Sequence, residues 1–281
     1  MKRIPVLISL MVIIVMTSCR KNEITFGSSE IDLTKSAQVR LIYDLPLVSS
    51  TSLNITRLKY NNNLVSEVST ALGGIFPNSP SKYHVVPQGT VKVDAFSGTT
   101  RDVIQYSNLF SVANGKYSVF IYSRSETPFV LKDVDLFPQS DPWADTLALI
   151  QFVNLLYRAD GVTPYGSLTL KGRRGLGNAA SPYSYFKIAT CNFMEASALI
   201  PCKLVKSGTN WSGTEAGMVF VLYDAAGNLL RYYPSATGAL ADWSASGISL
   251  GKGRNYIFHI NGKTGSNYAT QAIRLSTIAL N

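Results

Sequence analysis

One set of strand-like segments occurs twice along this chain, and that recurrence most constrains what it can fold into. Ala37-Gln-Val-Arg-Leu-Ile-Tyr-Asp-Leu45 has a counterpart in Ala148-Leu-Ile-Gln-Phe-Val-Asn-Leu-Leu156. Tyr83-His-Val-Val86 resembles Tyr185-Phe-Lys-Ile188. Asn114 to Tyr122 matches Gly253 to Asn261 through the Tyr117/Tyr256 pair. The offsets are 111 from Ala37 to Ala148, 102 from Tyr83 to Tyr185 and 139 from Tyr117 to Tyr256. A chain with such internal similarity builds one unit twice. The unequal offsets place an insertion between the middle and late strands of the second copy.

Each unit reads as β-structure. Gln38 to Tyr43, Thr90 to Phe96 and Lys116 to Tyr122 are rich in β-branched and aromatic residues. Val91, Val93 and Ala95 alternate with polar residues, the period of a half-buried strand. Turn signals recur between the runs at Asn61-Asn62-Asn63, Pro87-Gln88-Gly89, Ser97-Gly98, Asn114-Gly115, Ala226-Gly227-Asn228 and Asn261-Gly262. Their spacing is that of a sandwich, and no long stretch shows helical periodicity. With 46% hydrophobic residues the 281-residue chain has material for real cores, which excludes a disordered protein. Three cysteines exclude a disulfide-dense scaffold. The expected fold is all-β: two tandem antiparallel β-sandwiches, the first over residues 37–136 and the second, with its insertion, over 147–281. Residues 137–146, with Pro138 and Pro142, form the linker between them. Residues 36–142 are expected to fold alone.

The first copy's "A-x-V-R-L-I" opening at Ala37, its "Y-x-V-V-P-x-G-T-V-K-V" run from Tyr83 and its "G-K-Y-S-V-F" strand from Gly115 are similar to the domain-of-unknown-function 4397 family. The resemblance covers about 100 residues of the first copy. In the second copy it covers the opening and the late "Y-I-F" strand. There Ala189-Thr190-Cys191 stands in place of the Pro-x-Gly turn. The resemblance implies tandem Ig-like or transthyretin-like β-domains in an exported lipoprotein, commonly of Bacteroidota. It implies no activity.

The N-terminus reads as an address. Lys2 and Arg3 precede an uncharged run from Ile4 to Met16, shorter than the ~20 residues of a membrane-spanning helix. The run ends in Thr17-Ser18-Cys19, which resembles the lipobox of bacterial lipoprotein signals. Residues 1–18 are then a removed signal peptide, Cys19 carries the acyl chains, and residues 19–36 are a tether. Several acyl chains hold a protein to a membrane far more firmly than one. Arg20-Lys21 follows Cys19, and no acidic run does. The expected location is the outer membrane, facing the periplasm or the surface.

Candidate chemistry is sparse. His84 and His259 lie in different copies, with no acidic or cysteine partner at ligand spacing, and read as structural or surface residues. Asp133 and Asp135 would share one face of a strand and read as a solvated edge. The glycines of Lys171 to Gly177 do not have phosphate-loop spacing. No metal site and no cofactor are expected. Charge is uneven: residues 37–142 hold 9 basic and 8 acidic residues, whereas 143–281 hold 12 and 6. Lys171, Arg173 and Arg174 form a candidate anion-binding cluster or a solvated loop. Trp211 and Trp243 are candidate glycan-stacking residues or core residues. Asp145-Thr146-Leu147 resembles a Bacteroidota O-glycosylation acceptor, with Thr146 modified. An Ala196-Ser197 hairpin turn would set Cys191 opposite Cys202, giving either a disulfide or two buried thiols.

The expected function is a non-enzymatic, lipid-anchored cell-envelope protein. It is held to the membrane through Cys19 and acts as a binding, adhesion or scaffold module. Its partner is a glycan or an envelope protein and not a nucleic acid. The alternatives are a structural or accessory subunit resembling a fimbrial protein, and a polysaccharide-binding lipoprotein.

Overall fold

The computed structural model describes residues 33–45, 54–71, 73–77, 82–134, 147–174, 178–180, 182–207, 210–212, 219–233, 239–246, 248, 250–265 and 273–280. Cys19, tether residues 20–32, Asp135, Thr146 and the linker lie outside them, while the end of the expected tether forms a short 3-10 turn (Leu33–Lys35) and the first residue of β1. Among the described residues, nine strands form the first lobe: β1 (Ser36–Tyr43), β2 (Arg57–Tyr60), β3 (Asn63–Ser66), β4 (Ile75–Phe76), β5 (His84–Pro87), β6 (Gly89–Ser97), β7 (Val103–Val112), β8 (Gly115–Ile121) and β9 (Phe129–Lys132). The second lobe contains β10 (Leu147–Asn154), β11 (Leu168–Arg174), β12 (Ser184–Cys191), β13 (Glu195–Ala196), β14 (Ile200–Lys203), β15 (Val205–Ser207), β16 (Asn210–Ser212), β17 (Val219–Asp224), β18 (Arg231–Tyr232), β19 (Ala241–Asp242), β20 (Ser244–Ala245), β21 (Asn255–Asn261) and β22 (Arg274–Leu280).

The two lobes share one topology. The first stacks a β4-β1-β8-β9 sheet, with β5 also on β1, against β3-β2-β6-β7. The second stacks β13-β10-β21-β22, with β14 on β10, against β12-β11-β17-β20. The additions to the second lobe are the hairpins β15–β16 and β18–β19. Val39 pairs with Tyr117 and Ile150 with Tyr256, so the early and late offsets read from the sequence hold. The middle one does not. Val86 of β5 pairs with Ala37, and its counterpart on Ala148 is Cys202 of β14. Tyr185 to Ile188 instead belong to β12 of the outer sheet, because an aromatic followed by alternating residues fits any half-buried strand.

The sheets are antiparallel as expected, with one exception in each lobe. β1 and β8 are parallel, as are β10 and β21. Parallel pairs are favoured where both faces are covered. Here β21 is buried at every position, and β1 and β10 are buried at every position from their fourth residue onward. One face of each inner sheet meets its own outer sheet, around Leu41, Val93 and Tyr106 in the first lobe and Phe152, Leu170 and Phe220 in the second. The other faces meet each other. Ile42, Phe120 and Tyr122 pack there with Val153, Leu155, Tyr157, Ile257 and Ile278. Four sheets thus stack as layers, with the lobes joined by a third core. Burying each such side chain contributes roughly 1.5–3 kcal/mol. A fragment ending at residue 142 would expose its half of this face.

Buried polar groups of the shared layer form two clusters. The Arg40 guanidinium donates to Ser118 Oγ at 2.8 Å and to Asp133 Oδ2 at 2.8 Å. Ser118 Oγ and the Tyr83 hydroxyl donate to Asp133 at 2.6 and 2.7 Å. Asp133 is therefore not on a solvated edge: just past β9 its side chain turns in against Arg40, Ser118 and Tyr83 and is buried. His259 is likewise buried, and its Nδ1 lies 2.6 Å from Asp44 Oδ2, close enough for an ion pair but out of line for a hydrogen bond. Asn261 Nδ2 donates to Asp44 Oδ1.

The hairpin invoked for Cys191 and Cys202 is not formed. Cys191 lies in β12 on β11, and Cys202 in β14 on β10, so the two belong to facing sheets. Asn192 to Glu195 turn the chain from one sheet to the other, aided by Met194 at φ 60°. Both cysteines are buried thiols rather than halves of a disulfide. Burial pushes the Cys191 thiol up to about 11, so little reactive thiolate exists at neutral pH. Thiol counting on unreduced protein is expected to find two groups after denaturation and slow reaction before it. No reactive thiol after denaturation would contradict this arrangement.

Candidate functional site

A groove of about 530 Å³ opens at one end of the shared layer. This is within the roughly 300–1,000 Å³ usual for ligand pockets. Three connections build it. The first, residues 122–128, follows β8. It is tied to β7 by the Tyr106 hydroxyl donating to Glu126 O at 2.7 Å and Asn108 Nδ2 donating to Ser125 O at 3.2 Å. The second joins β10 to β11. Its tip is an Asx turn in which Asp160 Oδ1 accepts from the Val162 and Thr163 amides at 2.9 and 2.8 Å. Those bonds, with the Thr163 hydroxyl on Oδ2, hold the Asp160 carboxyl below its ordinary range. Gly161, at φ 71°, supplies the left-handed step. The third is the Asn192 to Glu195 turn, where the Glu195 carboxylate accepts from the Asn192 amide at 2.9 Å.

Aromatic rings form the floor. Phe193 meets the Tyr122 ring edge-on at 5.7 Å between centroids and the Tyr157 ring at 5.0 Å. Such contacts favour fixed ring geometry. The Tyr122 hydroxyl donates to Met194 Sδ at 2.9 Å. Burial raises both phenols, so they remain neutral hydrogen-bonding groups. Val162, 75% exposed, stands on the rim with exposed Met194 and Pro164. Ser123, Arg124, Ser125 and Glu126 line the opposite side. Arg124 reaches Gln105 at 3.4 Å but pairs with no carboxylate among the described residues. The site therefore offers an apolar, adaptable wall, two opposite charges and several hydroxyls on a fixed frame. That chemistry can hold a partner.

The sequence did not point to this groove. Its residues come from loops without repeated motifs, and the local signal that could have marked one of them is the Asp160-Gly161 turn pair. The residues that the sequence did single out lie elsewhere. Trp243 is a core residue, its indole Nε1 donating to Ile273 O at 3.2 Å, so it is unavailable for stacking on a glycan. Trp211 sits in β16 opposite Lys206. Lys171 and Arg173 project from β11 on the outer face of the second lobe, and Arg174 pairs with Ser184 at the strand's end. His84 packs on the rings of Tyr60 and Phe76. Among the described residues no cluster of metal-ligating side chains occurs.

No family model matches this chain, so the family resemblance drawn from its sequence has no such support. No curated protein matches it either. Several solved structures align with it. A candidate cell adhesion protein from Bacteroides uniformis does so at TM-score 0.23 and 10% identity, over 88% of this chain and 99% of its own. The tip fimbrial protein Mfa3 from Porphyromonas gingivalis, with a C-terminal truncation, aligns at TM-score 0.23 and 12% identity, over 87% and 99%. A candidate adhesin from Bacteroides ovatus aligns at TM-score 0.25 and 8% identity, over 88% and 96%. At these TM-scores the likeness carries no argument about fold or function.

Proposed function

We propose that this chain is a non-enzymatic binding module of the cell envelope, anchored through an acylated Cys19, that holds a partner in the groove between its lobes. The observation that carries the reading is the groove itself. Its aromatic floor belongs to the shared core, and its rim carries exposed Val162 and Met194 beside Arg124 and Glu126. Methionine beside aromatic rings makes a surface that adapts to a bound chain. Rigid β-layers beneath connecting loops are a usual arrangement for recognition. An envelope protein is the partner this chemistry fits best.

The test is capture from native envelopes by the full-length protein and by a Phe193→Ala, Arg124→Ala variant. Truncating a central aromatic anchor commonly costs binding more than 2 kcal/mol, about a thirtyfold loss. The expected result is a specific partner retained by the natural protein and lost by the variant. Equal recovery by both would overturn the reading.

A further inference from the structure

The outer face of the β12-β11-β17-β20 sheet carries a second surface, independent of the groove. Between Leu170 and Lys171 the β11–β12 register slips by one residue: Leu170 opposes Ala189, but Lys171 opposes Lys187. Ile188 and Ala189 are consequently both buried. A one-residue slip reverses which side chains face outward. Here it sets Lys187 and Tyr185 outward beside Lys171 and Arg173. Gly172 faces inward under Phe186, where a Cβ would fall 2.2 Å from the ring.

The resulting face breaks a local rule. Like charges directly opposite on neighbouring strands are destabilising, and Lys171 and Lys187 are such a pair. None of Lys171, Arg173 and Lys187 has a carboxylate partner among the described residues. Two of them lie on rings instead. Lys171 Nζ is 3.9 Å from the Tyr223 centroid and the Arg173 guanidinium 4.3 Å from that of Tyr183. Arg173 Nε is buried with no hydrogen-bond partner. Tyr183 and Tyr185 are each 47% exposed, and Tyr185 stands edge-on to Tyr223. Departures from local consistency of this kind are expected where a surface serves binding.

We propose that this face binds an acidic polysaccharide. The three cations meet its carboxylates or sulfates. An exposed tyrosine ring offers an apolar plane to a sugar face. Charge alone would suit any polyanion. The rings interleaved with the cations select one built from sugars.

Binding of the full-length protein to polygalacturonate, to neutral dextran and to linear polyphosphate tests this. Polygalacturonate is expected to bind at least about tenfold more tightly than either of the others, the size of one well-placed interaction. Lys171→Glu is expected to weaken polygalacturonate binding by at least about tenfold, since it removes one charge-assisted contact and adds a repulsive charge. Tyr185→Ala, at an exposed position, is expected to weaken it several-fold while leaving the weak polyphosphate binding unchanged. Should Lys171→Glu fail to fold, Lys187→Glu serves the same purpose on the neighbouring strand. Absence of polygalacturonate binding overturns the proposal. So does polyphosphate binding of equal strength, or indifference to both Lys171→Glu and Tyr185→Ala.

Discussion

Asp133→Ala is expected to lower the stability of the fold by about 3–5 kcal/mol, because it breaks the buried ion pair with the Arg40 guanidinium. At this chain length that corresponds to a fall in Tm of roughly 6–20 °C. The carboxylate accepts from three side chains, Arg40, Ser118 and Tyr83, so its removal leaves several donors unsatisfied. The Arg40 charge also faces the Tyr83 ring at 5.0 Å, which offsets part of its burial but cannot replace an anion. The double variant Arg40→Met, Asp133→Leu should recover most of the loss, since replacing both partners of a buried pair by apolar groups is often neutral or stabilising. Denaturant unfolding of the three proteins checks this. A loss below about 1 kcal/mol for Asp133→Ala, the value of an exposed pair, would contradict the burial described for the Arg40–Asp133 pair.

Asp44→Ala is expected to cost about 1–3 kcal/mol, because it leaves the buried Asn261 amide of the other lobe without the carboxylate it donates to. Asp44 continues from β1 and meets His259 and Asn261 of β21, so this cluster joins the lobes directly. Phe120 packs edge-on against the His259 ring at 5.3 Å, so the site can collapse only partly. The loss should fall on the docking of the lobes rather than on either sandwich. Hydrogen exchange should therefore quicken first in β1, β8, β10 and β21, with the two outer sheets less affected. Uniform acceleration through all four sheets would show instead that the cluster stabilises one global unfolding unit.

The elements legible in the sequence are those whose pattern is local. The runs at Ala37 and Ala148, and those at Tyr117 and Tyr256, are the inner strands of the two lobes, and their offsets recur in the strand registers. The pairing of those strands was not legible, since a parallel neighbour and an antiparallel one bury the same residues. Nor were the partners of the buried polar side chains. Arg40 and Asp133 are 93 residues apart, and Asn261 and Asp44 are 217 apart. Nothing in the composition near His259 announces Asp44. The cysteine register failed for a related reason: Ala196-Ser197 has no strong hairpin chemistry, and both flanking segments pair with β10. The basic cluster was visible as Lys171, Arg173 and Arg174. Its enlargement by Lys187 and three tyrosines depends on one bulge, which periodicity alone does not reveal. The groove was hidden most completely, because its floor comes from strand ends and its rim from loops of both lobes.

Site-specific photo-cross-linking in intact envelopes tests the central claim most directly. A photoreactive residue at Val162 stands on the groove rim, and one at Leu64, 58% exposed on β3, serves as a control away from it. The account predicts a discrete cross-linked species from position 162, with one partner identified by mass spectrometry, that is absent from position 64 and lost with Phe193→Ala. The same products from both positions, or a position-162 product unaffected by Phe193→Ala, would contradict it.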